Sequence, residues 1–327
     1  TGWNVKRRLL LSVFCTFIPA LFFSCRSSSI ELEEGSVSPL ALLDDQSSIY
    51  INIPVQKHQK LFADILCSQV EGLAEKDAMS LASRTGHLYA GLGTVKDRSR
   101  LEAAATVDIP KVGINSVFKK KNGWNSAEYV SDAKPENGVS AAGVPSKYTV
   151  YSRNDNPLKI SFPVKQILCV SKNVEVMLDK YSSQAALADN DMNAYLTQDS
   201  DDILFYVTRP GQYLRNMIGV TVQGADRVWG TLAYVPDEKK PKNDTGKYSM
   251  SFYMHLQDKK TMKAFQGLLA LSFAMSDGSV EQIDDLTIKV SGVEVSRKQI
   301  NEMFIRKPIT GTHYRVEGDK VYAEPDR

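Results

Sequence analysis

The sequence predicts an α+β protein made of antiparallel sheets covered by several amphipathic helices. Two observations carry this reading, and a third suggests how the parts repeat. Short apolar or β-branched runs, such as Ile49-Tyr50-Ile51-Asn52-Ile53 and Ile203-Leu204-Phe205-Tyr206-Val207, recur along the chain and read as strands. Segments between them space their apolar residues at the helical period. Two stretches then share the order strand, helix, strand, strand, helix, which suggests a duplicated β-α-β-β-α unit.

The chain opens on a leader. Lys6, Arg7 and Arg8 precede an apolar run over residues 9–23, followed by Ser24 and Cys25. Positive charge, a short apolar stretch and a small residue before the processing point define a secretory signal. The run is too short for a spanning helix, which needs about 20 apolar residues, and Ser12, Thr16 and Pro19 weaken it further. A cysteine directly after the small residue favours lipidation over an uncleaved anchor or a plain signal peptide. Leu21-Phe22-Phe23-Ser24-Cys25 reads as a relaxed lipobox, with Phe22 where leucine is usual. Cys25 is then the lipidated first residue of the processed chain. The organisation expected is a signal peptide over 1–24, a Ser-rich and acidic lipidated tether over 25–48, a first α+β half over 49–165, and a second half over 166–327 ending in a hairpin.

In the first half, Pro54 ends the opening strand. Leu61, Phe62, Ile65, Leu66 and Val70 then mark one side of a helix, and a second helical piece spans 73–82. Strands follow at 87–90 and 101–107, and residues 111–121 form a short basic helix with Val112, Val117 and Phe118. Strands are expected at 124–130, 147–152 and 166–171, a loop at 132–145, and a helix over 174–187. The second stretch starts at Ile203, with Leu214, Met217 and Ile218 at helical spacing over 211–219. Strands at 228–235 and 248–256 flank a charged turn, and 260–275 is a strong helix. Residues 286–295 read as a hairpin around Ser291-Gly292. Ser296 caps a helix through 306 that turns Ile300, Met303 and Phe304 inward.

Composition narrows the function. The 327 residues carry 40 basic and 38 acidic side chains, a net charge of +2. Removing the leader, with its three basic residues and no acid, leaves 303 residues near −1. That balance argues against a nucleic-acid binder, which shows a basic domain or stripe. No nucleophile elbow, P-loop or zincin helix occurs, so no enzyme activity, cofactor or metal is expected. His58, His87, His255 and His313 are scattered, and the acidic clusters at 199–202 and 281–285 lack calcium-loop spacing. Cys67 and Cys169 lie in apolar runs. Export would permit a disulfide between them, and two buried thiols fit equally well.

The apolar helices are the stronger signal. Residues 264–276 carry no charge and present apolar groups around most of the circumference, so the helix is either a core element or dips into a lipid phase. Residues 111–121 and 297–307 combine basic ends with apolar faces, the composition of helices at an anionic interface. An apolar pocket or membrane-facing surface for lipid or glycolipid is expected to include Leu61, Phe62, Leu214, Met217, Phe265 and Leu269. Membrane lipids are the partners expected; no protein partner is identifiable. The alternative is a protein-interaction module, an envelope scaffold or surface adhesin.

The relaxed lipobox, the segment Phe205-Tyr206-Val207-Thr208-Arg209-Pro210-Gly211 and the sheet-plus-amphipathic-helix layout resemble treponemal, that is spirochaetal, outer-membrane lipoproteins whose helices associate with the membrane. The resemblance implies an α/β fold, lipid association without catalysis, and a periplasm-facing position at the outer membrane. Only Cys25 transfers as a defined residue.

Overall fold

The computed structural model describes residues 30, 32, 36–70, 73–93, 100–110, 114–115, 117–133, 146–185, 191–208, 210, 224–240, 244–273, 278–304, 312–317 and 320–325, the backbone alone at 272–273, 312–317 and 320–325. Its strands are β1 (Ile49–Pro54), β2 (Thr85–Leu92), β3 (Leu101–Val107), β4 (Trp124–Val130), β5 (Lys147–Arg153), β6 (Asn156–Val164), β7 (Ile167–Ser171), β8 (Ile203–Val207), β9 (Ala225–Tyr234), β10 (Lys247–Leu256), β11 (Ser279–Gln282), β12 (Thr287–Ser296), β13 (Thr312–Glu317) and β14 (Lys320–Pro325). The helices are α1 (Gln59–Gln69), α2 (Glu75–Ala82), α3 (Val174–Ser182), α4 (Asp191–Leu196), α5 (Lys259–Phe273) and α6 (Arg297–Phe304).

The first twelve strands form one 12-stranded sheet in the order β11-β12-β10-β9-β8-β1-β2-β3-β7-β6-β5-β4, and β13 and β14 form a separate two-stranded sheet. This corrects the expectation of antiparallel sheets covered by several amphipathic helices, with a duplicated β-α-β-β-α unit. The reason lies at the centre. β1 and β8, the opening strands of the two similar stretches, pair antiparallel with Ile49 opposite Val207 and Asn52 opposite Leu204. Every residue of both strands is buried. Strands covered on both faces read as continuous apolar runs, and neither can serve as the edge of its own sheet. β7 likewise pairs with β3 instead of opening a second sheet. A duplicated unit with its own sheet is therefore not what the chain forms.

Helical cover is also less complete than expected, and it is split between the faces. On the first face, Leu61, Phe62 and Ile65 of α1, Met262, Phe265 and Leu269 of α5, and Ile300 and Phe304 of α6 pack on Ile51, Ile53, Phe205, Phe252 and Val290. On the second face, Val37, Leu40, Leu42 and Leu43 join Met177 and Leu178 of α3 and Leu196 of α4 over Tyr50, Cys169 and Leu204. β9 and β10 alternate buried with half-exposed positions, the pattern of a sheet wing covered on one face. β4 is exposed along most of its length.

Residues 37–48, read as the end of the tether, pack against the sheet. Asp44 N–H donates to Glu102 Oε2 at 2.7 Å, and Arg100 pairs with both Asp44 and Glu102 at 2.6 Å. Glu102 is buried. A Cβ on Gly91 would stand 2.5 Å from Ser47 Oγ, so glycine lets this segment approach β2 closely.

Residues 286–295 do not turn back as a hairpin. β12 runs on along β10 with an irregularity between the Met250 and Phe252 pairs. Gly292 absorbs it at φ 78°, a left-handed conformation that glycine adopts without steric cost. Ser296 caps α6 as expected. Gln299 N–H donates to Ser296 Oγ at 3.2 Å, and Ser296 N–H donates to Gln299 Oε1 at 2.8 Å, a reciprocal capping box.

Cys67 and Cys169 are both free thiols. Cys169 is buried under the second face, whereas Cys67 is half-buried on α1.

Candidate membrane-contact site

α5 begins at Asp258. Its carboxylate accepts from Thr261 N–H at 2.8 Å and from Thr261 Oγ1–H at 2.7 Å. These bonds satisfy an otherwise orphaned first-turn donor and hold the Asp258 carboxyl below the usual range, the Thr261 backbone N–H contributing most. At 100° per residue, Met262, Phe265 and Leu269 fall on one narrow stripe. All three are buried against the sheet.

The opposite side is unusual for a surface helix. Lys260, Ala264, Gly267 and Leu271 lie within about 60° of one another around the axis, and all are exposed. Leu268 and Ala270 flank them and are exposed as well. Leu271 retains 80% of its accessible surface and Leu268 47%. A Cβ on Gly267 would meet nothing within 4 Å. Lys259 is held by Asp285 at 2.5 Å; Lys260 and Lys263 form no ion pair among the described residues. From Ala264 to Leu271 the outward face carries no charge. A water-facing helix surface normally carries charged and polar groups.

The other basic helices differ. α6 turns Ile300 and Phe304 inward, and its Arg297 pairs with Asp64 of α1 at 2.7 Å and with Asp244. Ser68 of α1 donates to Asn301 of α6 at 3.2 Å, and Gln69 donates to the Phe304 carbonyl oxygen at 2.7 Å. Its basic end and polar groups are thus engaged with α1. Around residues 114–121, Phe118 packs with Trp124, Tyr151 and Phe162, ring centroids 4.7–5.8 Å apart, while Lys119, Lys120 and Lys121 are exposed.

Of the residues expected to line a lipid site, Leu61, Phe62, Phe265 and Leu269 share one cluster, and all four are buried in the core. Leu214, Met217 and Cys25 lie outside the described residues. Among the described side chains of α5, the large apolar groups that reach solvent are Leu268 and Leu271, which were not among the residues expected to line a lipid site. Helical phase would have found them: Met262, Phe265 and Leu269 form the continuous apolar stripe, which leaves Lys260, Ala264, Gly267 and Leu271 in line on the far side.

His58 and His87 are structural. His58 Nε2–H donates to the Asp201 carbonyl oxygen at 2.9 Å. His87 Nδ1 lies 3.1 Å from Asn52 Oδ1. Burial disfavours the charged imidazolium at both and lowers their pKa values.

A twelve-stranded antiparallel sheet carrying a helix with an apolar outward face defines the class of protein to which this chain belongs by its fold. A family model described as outer membrane-associated lipoprotein TP0453 matches residues 34–301, and the chain belongs to this treponemal family. Crystal form I of TP0453 aligns with a TM-score of 0.61 at 14% identity, covering 83% of this chain and 97% of that one. Form III gives 0.58 at 15%, covering 83% and 99%, and form IV gives 0.56 at 14%, covering 83% and 97%. At these identities the likeness is one of fold. No curated protein matches.

Proposed function

We propose that this outer membrane-associated lipoprotein is a non-enzymatic, periplasm-facing protein, lipidated at Cys25, whose α5 contacts the leaflet and binds its lipid or glycolipid. The observation carrying the proposal is the outward stripe of α5, with Leu271 at 80% exposure and no charge from Ala264 to Leu271. Transferring Leu268 and Leu271 into hydrocarbon contributes roughly 3 kcal/mol. That is too little to anchor a protein alone. Attached acyl chains, at about 0.8 kcal/mol per buried methylene, supply the anchorage, and α5 sets how the folded body meets the surface.

The test removes the acyl contribution. The processed chain, residues 25–327, carrying Cys25→Ser is mixed with phospholipid vesicles and floated on a density gradient. At high lipid concentration a fraction is expected to rise with the vesicles, and Leu271→Glu in the same background is expected to lower that fraction with unchanged thermal stability. A Cys25→Ser protein that never floats and carries no extractable lipid overturns the proposal. In that case, a partner recovered by crosslinking in the envelope would favour a protein-interaction module.

A further inference from the structure

The outward face of α5 changes character along its length. Its first turns present Lys260 and Lys263, both exposed and without an ion pair among the described residues. The remainder presents Ala264, Gly267, Leu268, Ala270 and Leu271. Exposure of the large apolar side chains is greater at the far end, from Leu268 at 47% to Leu271 at 80%. Lys260 and Leu271 stand about 16 Å apart along the axis. A helix lying flat at an interface usually has its cations along the two borders of its apolar stripe, throughout its length. Here the free cations are gathered at one end and the bulk apolar groups at the other.

We infer that α5 enters the leaflet obliquely, its Leu271 end leading, with Lys260 and Lys263 held at the level of anionic lipid phosphates. The inference rests on the membrane contact proposed above and adds the orientation and the headgroup. Charge complementarity names the occupant. Two ammonium groups without an ion pair among the described residues fit a phosphate plane, and the uncharged surface beyond them fits the acyl region. Lys259 is not part of this pair, because Asp285 already neutralises it at 2.5 Å. Met262, Phe265 and Leu269 fix the helix to the sheet throughout, so the tilt belongs to the folded body and needs no detachment of the helix.

Depth measurement separates this inference from the contact itself. Tryptophan is introduced as Ala264→Trp or Leu271→Trp in the processed chain, residues 25–327, carrying Cys25→Ser, with the parent emission subtracted. Vesicles contain phosphatidylglycerol and a phosphatidylcholine spin-labelled either near the headgroup or deep in the acyl chain. Leu271→Trp is expected to be quenched more by the deep label, and Ala264→Trp more by the shallow one. The double variant Lys260→Gln/Lys263→Gln is expected to bind phosphatidylglycerol vesicles roughly 30-fold more weakly, given what a lysine near an anionic surface contributes. Its binding to pure phosphatidylcholine is expected to be unchanged. Equal quenching at both positions by each label means that the helix lies flat, and the oblique entry is wrong although the contact stands. Loss of the double variant's effect in anionic vesicles removes the phosphate assignment. Absence of quenching in a protein that floats moves the contact away from α5, and an α5-dependent dimer without vesicles assigns the stripe to a second copy of the chain; either result overturns the inference.

Discussion

His58 and Tyr248 meet in the core, with Tyr248 Oη 3.4 Å from His58 Nδ1 and the ring centroids 5.6 Å apart. Because Nε2 must donate to the Asp201 carbonyl oxygen, Nδ1 carries the lone pair, and the Tyr248 hydroxyl donates to it. Burial raises the Tyr248 pKa, which keeps that proton in place. The neutral imidazole is therefore satisfied on both sides. The link joins the start of α1 to the start of β10.

That arrangement sets a pH dependence. Burial, partly opposed by the Asp201 carbonyl and the carboxylates of Asp202 and Asp201, lowers the His58 pKa from its ordinary value; Lys57 lowers it further. A base whose folded pKa is depressed binds fewer protons folded than unfolded below about pH 6.5. Stability is then full above that pH and declines as pH falls through it. His87, depressed by burial with Asp199 opposing, acts in the same direction. Thermal unfolding followed between neutral and mildly acidic pH should show a falling midpoint. His58→Gln, which retains a donor for Asp201, should flatten the slope; an unchanged slope would remove His58 from the account.

Two glycines should respond to alanine with opposite signs. A Cβ on Gly230 would lie 2.2 Å from the Ser251 carbonyl oxygen and 2.6 Å from Phe252 Cα. These are backbone atoms that cannot swing aside, so Gly230→Ala should cost about 3 kcal/mol. Gly267 sits inside α5 with open space at its Cβ, so Gly267→Ala should stabilise by about 1 kcal/mol. Urea unfolding of the two variants reads both.

The segment over residues 37–48 depends on Glu102. Glu102→Ala removes the acceptor of Asp44 N–H and one carboxylate partner of Arg100, while the Arg100–Asp44 pair remains. Breaking such a buried pair should cost about 3 kcal/mol. Amide exchange should accelerate over residues 40–48 before it does so in β1. Uniform acceleration across β1 and β8 would show that the segment is not a separable unit.

The two thiols should differ in reactivity. Cys169 is fully buried and its pKa is pushed well up by burial, with Glu102 adding to the effect. Cys67 is only half-buried, and desolvation with nearby Asp64 and Glu75 raises its pKa as well. The thiolate is the reactive form. Native alkylation followed by peptide mass analysis should label Cys67 slowly and leave Cys169 unmodified until the protein unfolds.

Much of the element order was legible in the chain, because β1, β3, β8 and β10 have apolar runs bounded by turn residues. β6 was missed, since Pro157 and Pro163 argue against a strand, although its register with β5 and β7 tolerates both. The single sheet was not legible. Pairing of Tyr50 with Tyr206 joins residues far apart in sequence, and local periodicity does not encode which strands are neighbours. At the candidate site, the apolar character of α5 is legible in the sequence, where the large residues Phe265 and Leu269 dominate the pattern. Those face inward because aromatic and branched side chains gain most from burial. The smaller, interrupted side, with Ala264 and Gly267 between Lys260 and Leu271, is the one left facing out.

The hold of Glu102 and Arg100 on Asp44 also has a mechanical side. Tension applied to the chain upstream of residue 37 reaches these side-chain contacts before it reaches any ladder of β1. Under load the short N-terminal segment should peel first, leaving β1 still zipped between β2 and β8. The clasp would thus act as a fuse, yielding early and sparing the middle of the sheet.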